Sequence, residues 1–143
     1  MELAWKNITL RECDIKSMPP IPTDDEGFTL DPQAGPVNSP INFAIILGGE
    51  YIGNCAIYNP EDDEVELGIW ITAAYRNKGY GSEALKILSD YYLLTLGFSR
   101  IHLKVLPYNG RAIRAYRKAG FTQRGKIVVD SIEFLKMDKI KGG

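Results

Sequence analysis

The sequence predicts a mixed α/β domain, and three patterns along the 143-residue chain carry that prediction. Several short segments alternate apolar and polar residues with the two-residue period of β-strands. Two longer segments repeat apolar residues at helical spacing, each with a glycine near its end. Their order is strands, helix, strand, helix, strands, which is typical of a sheet with helices packed against it. The length suggests a single domain over residues 1–143.

The first half of the chain is predicted to form an antiparallel meander. Gly48-Gly49 separates two apolar runs, which is the composition of a tight hairpin, and residues 59–64 (NPEDDE) form the next turn. Residues 15–40 contain six prolines and no sustained helical period, so a long loop is expected there. The predicted strands of this half are 7–14, 42–47, 51–58 and 64–71.

The second half carries the two predicted helices. Gly97 suits the C-terminal cap of the first helix, whereas Asn109 and Gly120 suit the two ends of the second. The dipeptide Asp130-Ser131 marks the turn between the last two strands. The predicted helices are 82–96 and 110–119, and the predicted strands are 100–107, 122–129 and 132–138.

The composition argues against several classes of protein. The formal net charge is −1, so binding to nucleic acid or to an anionic membrane is not expected. No apolar run approaches the length of a transmembrane helix, and the N-terminus lacks a signal-peptide pattern. Cys13, Cys55 and the single histidine do not have the spacing of a metal site, so we expect no metal. Two free thiols suggest a reducing cytoplasm.

Two glycines and two cations precede the first predicted helix in RNKGYG, residues 76–81. Backbone N–H groups at a helix start lack helical partners, and the helix dipole adds partial positive charge, so this end attracts an anion. Gly79 and Gly81 would let a ligand approach the backbone closely, and Arg76 and Lys78 would add charge. The stretch matches neither the P-loop nor the dinucleotide pattern. It is either a phosphate cradle or an ordinary glycine turn.

A second stretch, NGRAIRAYRKAGF at residues 109–121, adds a possible proton donor. Tyr116 falls on the same helical stripe as Ala112, Ile113 and Ala119. A tyrosine at such a position is commonly a core residue with a hydrogen-bonded hydroxyl. Its phenol, with an ordinary pKa of about 10, can also serve as a proton donor.

Together, the two stretches resemble the GNAT superfamily of acetyl-CoA-dependent N-acetyltransferases. The family's R/Q-x-x-G-x-G/A loop follows a hydrophobic strand, here ELGIWI, and is matched by Arg76, Gly79 and Gly81. The later N-x-x-A-x-x-x-Y-x-x-x-G-F pattern is matched by Asn109, Ala112, Tyr116, Gly120 and Phe121. The resemblance covers about residues 42–138.

The resemblance implies a mostly antiparallel sheet with a V-shaped split between two parallel strands, flanked by helices. It implies acetyl-CoA as the cosubstrate, with its pantetheine arm paired to the strand edge at Ile69, Trp70 and Ile71. The residues implied in holding the coenzyme A diphosphate are Arg76, Asn77, Lys78, Gly79, Tyr80, Gly81 and Ser82.

The resemblance also implies the roles in the chemistry. Asn109 would contact the pantetheine, and Tyr116 would protonate the departing sulfur. A backbone N–H at or near Ile71, on a bulged strand, would polarise the thioester carbonyl. The reaction would be direct attack of a primary amine on the thioester, which makes the chain an acyltransferase.

The general base is less well marked. Some family members place a glutamate five residues before the asparagine, where this chain has Lys104. Glu66 shares one strand face with Gly68 and Trp70 and is the preferred carboxylate, although an ordinary solvated glutamate is an equal alternative. His102 is the second candidate because its pKa range suits proton transfer.

The acceptor stays open between a peptide N-terminus, a lysine side chain and a small amine such as a polyamine or amino sugar. Because residues 15–40 replace the helices that relatives carry there, the acceptor pocket would be shallow, completed by a second copy in a homodimer, or ordered only on binding. One alternative function is a non-catalytic acyl-CoA sensor or interaction module, and another is a nucleic-acid binder. The second helix carries a basic cluster that would contact nucleic acid or the 3′-phosphate of coenzyme A, although a solvated helix face is the favoured alternative for most of its members: Arg111, Arg114, Arg117 and Lys118.

Overall fold

The computed structural model describes residues 2–13, 41–61 and 63–141. The predicted loop over 15–40 lies outside the described residues. Eight strands are described: β1 (Glu2–Trp5), β2 (Ile8–Cys13), β3 (Ile41–Leu47), β4 (Glu50–Glu61), β5 (Glu64–Ile71), β6 (Arg100–Val105), β7 (Thr122–Val129) and β8 (Ile132–Ile140). The helices are α1 (Tyr80–Asp90), continued by a π-helical turn at Tyr91–Thr95, and α2 (Gly110–Lys118), with a 3₁₀ turn at Ala73–Tyr75.

The described strands form one mixed sheet in the order β1-β2-β3-β4-β5-β6-β8-β7. Neighbours are antiparallel except β5 and β6, which run parallel. The parallel pairing ends at Glu66 opposite His102, whereas β6 stays paired with β8 as far as Val105 opposite Leu135. Strands β5 and β6 therefore separate beyond Glu66, which confirms the predicted fold class and its V-shaped split.

Several element boundaries differ from the prediction. Strand β1 was not predicted, because its four residues are mostly exposed and show no apolar alternation. Helix α1 begins at Tyr80 rather than at 82, since Gly79 adopts a left-handed φ of 88° and forms the cap. Strand β4 continues to Glu61, so the turn predicted at 59–64 is shorter. Gly97, with φ of 87°, follows the end of the helix as expected.

The core lies between one face of the sheet and the helices. Alternate residues of β5 and β6, including Val65, Leu67 and Ile101, are buried in the same cluster as Leu85 and Leu88 of α1. Strand alternation then places Glu66 and His102 on the opposite face of the sheet. At the split, one face of the sheet is apolar and covered by helices, whereas the opposite face carries charged side chains.

Gly53 of β4 lies against the backbone of Trp70 and Ile71 in β5. A Cβ at this position would overlap the Trp70 carbonyl oxygen and lie 3.0 Å from Ile71 Cα. The pairing of β4 with β3 shifts register next to it, between Ile45 and Ile46. Only glycine fits this crossing, which fixes the strand segment that borders the split.

Candidate active site

The segment before α1 presents bare backbone at the helix start. The first bond of the helix joins Glu83 N to Gly79 O at 3.0 Å, so the N–H groups of Tyr80, Gly81 and Ser82 have no carbonyl partner within the helix. Gly79 has no side chain to cap them, and a Cβ there would meet no atom within 4 Å. The open amides and the helix dipole form a cradle for an anion.

The edge of β5 also has unpaired backbone. Thr72 N donates to Ile52 O at 2.9 Å, and hydrogen-bonded pairs alternate along an antiparallel ladder. The amides of Ile69 and Ile71 therefore point away from β4, toward the split that β6 has left. The Ile71 carbonyl already accepts a 2.7 Å bond from Arg76 Nε. The Ile69 N–H and carbonyl and the Ile71 N–H remain for an extended ligand.

The expected bulge near Ile71 is wrong. The register of β4 and β5 runs without a shift from Gly53 opposite Ile71 to Tyr58 opposite Glu66. Its irregularity lies at the far end of the pair, toward Glu61. Ordinary alternation is enough to direct the Ile71 amide into the split, so no bulge is needed.

A cleft of about 260 Å³ joins the β5 edge to the start of α1 and reaches α2. Nine residues predicted to bind coenzyme A or to act in catalysis line it: Ile69, Trp70, Ile71, Arg76, Asn77, Gly79, Gly81, Ser82 and Tyr116. Three of the four basic residues of the α2 cluster also line it: Arg111, Arg114 and Lys118. The cleft is thus apolar along the strand and positively charged toward its α2 end.

Two predicted ligand residues use their side chains to hold the scaffold. Asn109 Oδ1 accepts a bond from Ala112 N at 3.2 Å and caps α2, as the sequence predicted, but the residue does not line the cleft. Ser82 Oγ donates to Ala115 O at 2.9 Å and ties α1 to α2. The Ser82 bond therefore links the two helices directly at the cleft, whereas the Asn109 bond stabilises the start of α2.

Lys78 and Tyr80 do not line this cleft either. Both border a second cleft on the other side of the α1 start. Tyr75, which the sequence did not single out, takes a place in the first cleft, and its hydroxyl donates to Glu50 Oε1 at 2.6 Å. This bond raises the pKa of Tyr75.

Tyr116 is the buried phenol of the first cleft. Its side chain belongs to the core cluster, with 4 % of the residue exposed, and it lines the cleft together with Ile69 and Trp70. Burial raises the pKa of Tyr116 well above its ordinary value of about 10. The phenol is therefore fully protonated near neutral pH.

On the opposite face of the sheet, charged groups converge where the split opens. Lys104 Nζ lies 3.3 Å from Glu66 Oε2, and His102 Nε2 lies 3.8 Å from Glu66 Oε1. His102 Nδ1 lies 3.6 Å from Glu64 Oε2. Burial lowers the pKa of His102, against the opposing pull of Glu66 and Glu64, so the imidazole is neutral at pH 7. Glu66 itself does not line the first cleft.

The site thus combines a split sheet, an open helix start and a strand edge whose amides face the split. The sequence profile described as acetyltransferase (GNAT) domain matches residues 16–122. The chain therefore belongs to the GNAT acetyltransferase family.

Named relatives agree with this membership. The chain is 35% identical over 88 residues to spermidine N(1)-acetyltransferase of Escherichia coli, covering 60% of this chain and 47% of that protein. It is 32% identical over 87 residues to the uncharacterized N-acetyltransferase p20 of Bacillus licheniformis, covering 58% and 49%. The chain thus spans about half the length of these curated relatives.

Solved structures share the fold. An acetyltransferase of the GNAT family from Bacillus anthracis superposes with a TM-score of 0.79 over 100% of both chains, at 18% identity. The complex of AAC(6')-Ib with ribostamycin and coenzyme A gives a TM-score of 0.65 over 71% of this chain and 64% of that one, at 23% identity. Within the described residues, no helix is long and apolar enough to cross a membrane.

Two hydrogen bonds at the site were missed by sequence reasoning. The bond from Ser82 to the Ala115 carbonyl joins distant segments, and the bond from Arg76 to the Ile71 carbonyl, five residues away, has no sequence signature. A signal did exist for the charged pair Glu66 and Lys104, because both alternate out of the apolar face of their strands. Recognising that pair required the register of the parallel strands.

Proposed function

We propose that this protein is an N-acetyltransferase that transfers the acetyl group of acetyl-CoA to a primary amine in a ternary complex. The observation that carries the proposal is the convergence of three features on one cleft. These are the spare amides of β5, the open start of α1 and the buried phenol of Tyr116.

The cleft suits the shape of acetyl-CoA. The diphosphate would accept bonds from the free N–H groups of Tyr80, Gly81 and Ser82. The amide-containing pantetheine arm would pair with Ile69 and with the Ile71 N–H, in the manner of an added strand. The basic α2 end matches the negative charge of the phosphates.

The split also allows the amine to attack from one side of the thioester and the sulfur to leave on the other side. The amine would approach from the charged face that carries Glu66, and the sulfur would leave toward Tyr116 on the helix face. The amine nitrogen forms a bond to the carbonyl carbon, the C–S bond breaks, and the Ile71 N–H stabilises the oxyanion. The amine loses one proton and coenzyme A leaves with one proton on sulfur, so the reaction balances.

Tyr116 would act chiefly as a hydrogen-bond donor to the leaving sulfur. An ordinary thiol has a pKa of about 8.5, well below that of the buried phenol, so complete transfer of the phenolic proton to a thiolate is uphill. A donated hydrogen bond stabilises the developing negative charge without this cost. The sulfur would then take its proton from solvent, and Glu66 would return to solvent the proton that the amine loses.

The amine proton would be taken on the charged face. Glu66 and the neutral imidazole of His102 both lie at the point where β5 and β6 part. An aliphatic ammonium has a pKa near 10.4, so a proton acceptor is required near neutral pH. We assign this role to Glu66, with His102 as its neighbour and Lys104 holding the carboxylate in place.

A small cationic amine is the acceptor class that we propose, because two carboxylates lie on the charged face. Glu64 and Glu66 lie within 4 Å of one imidazole, and the amine would compete for them with Arg100, at 4.0 Å from Glu64, and Lys104, at 3.3 Å from Glu66. A relative at 35% identity is named a spermidine acetyltransferase, in line with such an acceptor. A polyamine is therefore the first acceptor to test.

The test measures coenzyme A thiol release from acetyl-CoA in the presence of an amine panel. The panel contains spermidine, an aminoglycoside and a peptide with a free N-terminus, and calorimetry records acetyl-CoA binding separately. We expect saturable binding of acetyl-CoA and amine-dependent thiol release with at least one amine. Absence of acetyl-CoA binding at high concentration overturns the proposal.

One observation favours an alternative, a non-catalytic acyl-CoA-binding module. The Lys104 ammonium lies 3.3 Å from Glu66, and both side chains are only 13% exposed, so the carboxylate is already paired. The same experiment separates the two functions, since the module would bind acetyl-CoA but release no thiol with any amine.

A further inference from the structure

Lys139 of β8 is a largely buried lysine beside the two helices. Alternation along β8 places it on the helix-covered face of the sheet, where Leu135 and Met137 are buried. Its side chain is only 14% exposed, which is unusual for a lysine, because burial of an ammonium is costly unless its donors are paired. The proposed chemistry does not involve this residue and leaves its burial unexplained.

All three protons of the Lys139 ammonium have an acceptor on the helices or directly after them. The Nζ atom lies 2.9 Å from Ser89 Oγ and 3.2 Å from Asp90 Oδ1, both at the end of α1. It also lies 2.9 Å from the carbonyl oxygen of Ala119, the residue after α2. Since an ammonium has three donors, this geometry uses each of them. Lys139 therefore joins β8, the end of α1 and the end of α2 at one point.

The end of α2 is built to receive this lysine. Gly120 adopts a φ of 104°, and Phe121 N donates to the Tyr116 carbonyl oxygen at 2.9 Å, which is the arrangement of a Schellman motif. The Ala119 carbonyl lies beyond that motif and receives a charged donor from Lys139, which the negative end of the helix dipole also favours. A Cβ on Gly120 would lie 3.1 Å from Lys139 Cε, so the glycine also makes room for the lysine side chain.

The turn of α2 that carries Tyr116 is held at two points. Ser82, at the start of α1, donates to the Ala115 carbonyl at 2.9 Å, and Lys139 donates to the Ala119 carbonyl at 2.9 Å. These carbonyls are four residues apart, so they lie on one side of the helix, about 6 Å apart along its axis. Tyr116 lies in the turn between them. Sliding or rotation of this turn would therefore break at least one of the two bonds.

We propose that Lys139 is a positioning residue for acetyl transfer, because its ammonium fixes the turn of α2 that presents the Tyr116 hydroxyl to the leaving sulfur. The inference rests on the proposed function, in which the diphosphate lies on the start of α1 and Tyr116 donates to the sulfur. A displacement of about 1 Å at such a donor can lower the rate about 10²-fold. Loss of the ammonium should therefore lower turnover through Tyr116 and leave cosubstrate binding to the α1 start intact.

A double-mutant cycle between Lys139 and Tyr116 tests the inference. Lys139→Met keeps an unbranched side chain and removes the ammonium, and it is combined with Tyr116→Phe. Thiol-release kinetics give kcat and the KM for acetyl-CoA in the parent, the two single variants and the double variant. Urea denaturation gives the free energy of unfolding of each protein.

We expect Lys139→Met to lower kcat about tenfold in the parent but less than about twofold in the Tyr116→Phe background. The reason is that the contribution of the phenol can be lost only once. The KM for acetyl-CoA should stay within about twofold of the parent value in all four proteins. A purely structural role would instead give the same fold-change in kcat in both backgrounds.

Ile57→Val is the matched control for lost stability. Ile57 is a buried core residue of β4 that does not line the first cleft, so removing one of its methyl groups should destabilise the protein and leave kcat at the parent value. If Lys139→Met folds too poorly to assay, Ser89→Ala takes its place, since it removes one acceptor and keeps the lysine. Ser89→Ala should lower kcat about two- to threefold in the parent and not in the Tyr116→Phe background.

The inference is overturned if the change at Lys139 or Ser89 lowers kcat equally in both backgrounds, leaves the parental kcat unchanged, or raises the KM for acetyl-CoA as strongly as it lowers kcat. It is also overturned if Ile57→Val shows the same Tyr116-dependent loss. In each of these cases the parent still releases thiol with an amine, so the proposed function survives. Absence of thiol release by the parent with every amine overturns the proposed function and this inference with it.

Discussion

The helix side and the opposite side of the split differ in what they are made of. On the helix side, the proposed cosubstrate contacts are mainly backbone amides of Ile69, Ile71 and the α1 start. On the opposite side, the groups that converge are the side chains of Glu66, His102 and Lys104. A backbone-built site needs glycines and a fixed strand register, whereas a side-chain-built site depends on the identity of each residue.

This difference explains which parts of the mechanism tolerate sequence change. The amides of a strand and a helix start keep their positions as long as the fold is intact. Charges on the opposite face can be exchanged for others without disturbing the core, since they lie across the sheet from α1 and α2. We therefore expect cosubstrate binding to respond to backbone changes and acceptor chemistry to respond to side-chain changes.

Replacing Tyr116 with phenylalanine should give the largest effect, because it removes the hydrogen-bond donor proposed for the leaving sulfur. We expect kcat to fall by about 10²-fold or more, in the range of a lost donor to developing negative charge, with little change in the KM for acetyl-CoA. Steady-state thiol-release kinetics measure both constants.

Tyr92→Phe is the matched control for that change. Tyr92 is also a buried tyrosine of the core cluster, and burial raises its pKa to about 12, but it does not line the cleft. Equal losses of kcat in the two variants would mean that a buried phenol matters only for stability.

Replacing Glu66 with glutamine should lower kcat/KM for the amine by about tenfold to 10²-fold, because the proposed proton acceptor is lost. Acetyl-CoA affinity should stay within about twofold, since Glu66 lies across the sheet from the cleft. Glu133→Gln, on strand β8 of the β7–β8 hairpin, serves as the control. A large loss of acetyl-CoA affinity in Glu66→Gln would contradict the proposal that cosubstrate binding and proton transfer use opposite faces of the sheet.

Replacing Gly53 with alanine should destabilise the strand segment that borders the split. The new Cβ would overlap the Trp70 carbonyl, so we expect a loss of about 1–3 kcal/mol in the free energy of unfolding, typical of overpacking. Urea denaturation measures it. Gly125→Ala is the matched strand control, because no atom lies within 4 Å of its Cβ position, and a comparable loss there would contradict the stated cause.

The smallest effect should be a pH dependence of stability that originates at His102. Its pKa is lowered from 6.5 in the folded protein, mainly by burial, so the unfolded chain binds the proton more readily. The stabilisation is complete above pH 6.5 and is lost as the pH falls through the folded pKa. Melting temperatures between pH 7 and 5 should decline less in His102→Asn than in the parent, and identical slopes would refute this origin.

Features with a local sequence signature were predicted, whereas features that depend on contacts between distant segments were not. Gly97 and Asn109 were placed correctly because helix caps leave a signature within a few residues, whereas the left-handed cap at Gly79 was not predicted. The pairing of Glu66 with Lys104 and the bond from Ser82 to α2 were not predicted, since each depends on how distant segments lie against one another. Strand β1 was missed because four mostly exposed residues carry no periodic signal.

The central claim is that an anion lies on the bare amides at the start of α1. Gly79 and Gly97 stand at opposite ends of the helical segment with φ of 88° and 87°, and a Cβ on either would meet no atom within 4 Å. Alanine at each position should therefore cost the fold a similar amount, about 1 kcal/mol.

Calorimetric titration of coenzyme A into Gly79→Ala and Gly97→Ala tests this claim most directly. We expect at least about tenfold weaker binding to Gly79→Ala, where the new methyl group would occupy the space of the diphosphate, and parental affinity in Gly97→Ala. Equal affinity in the two variants would contradict it.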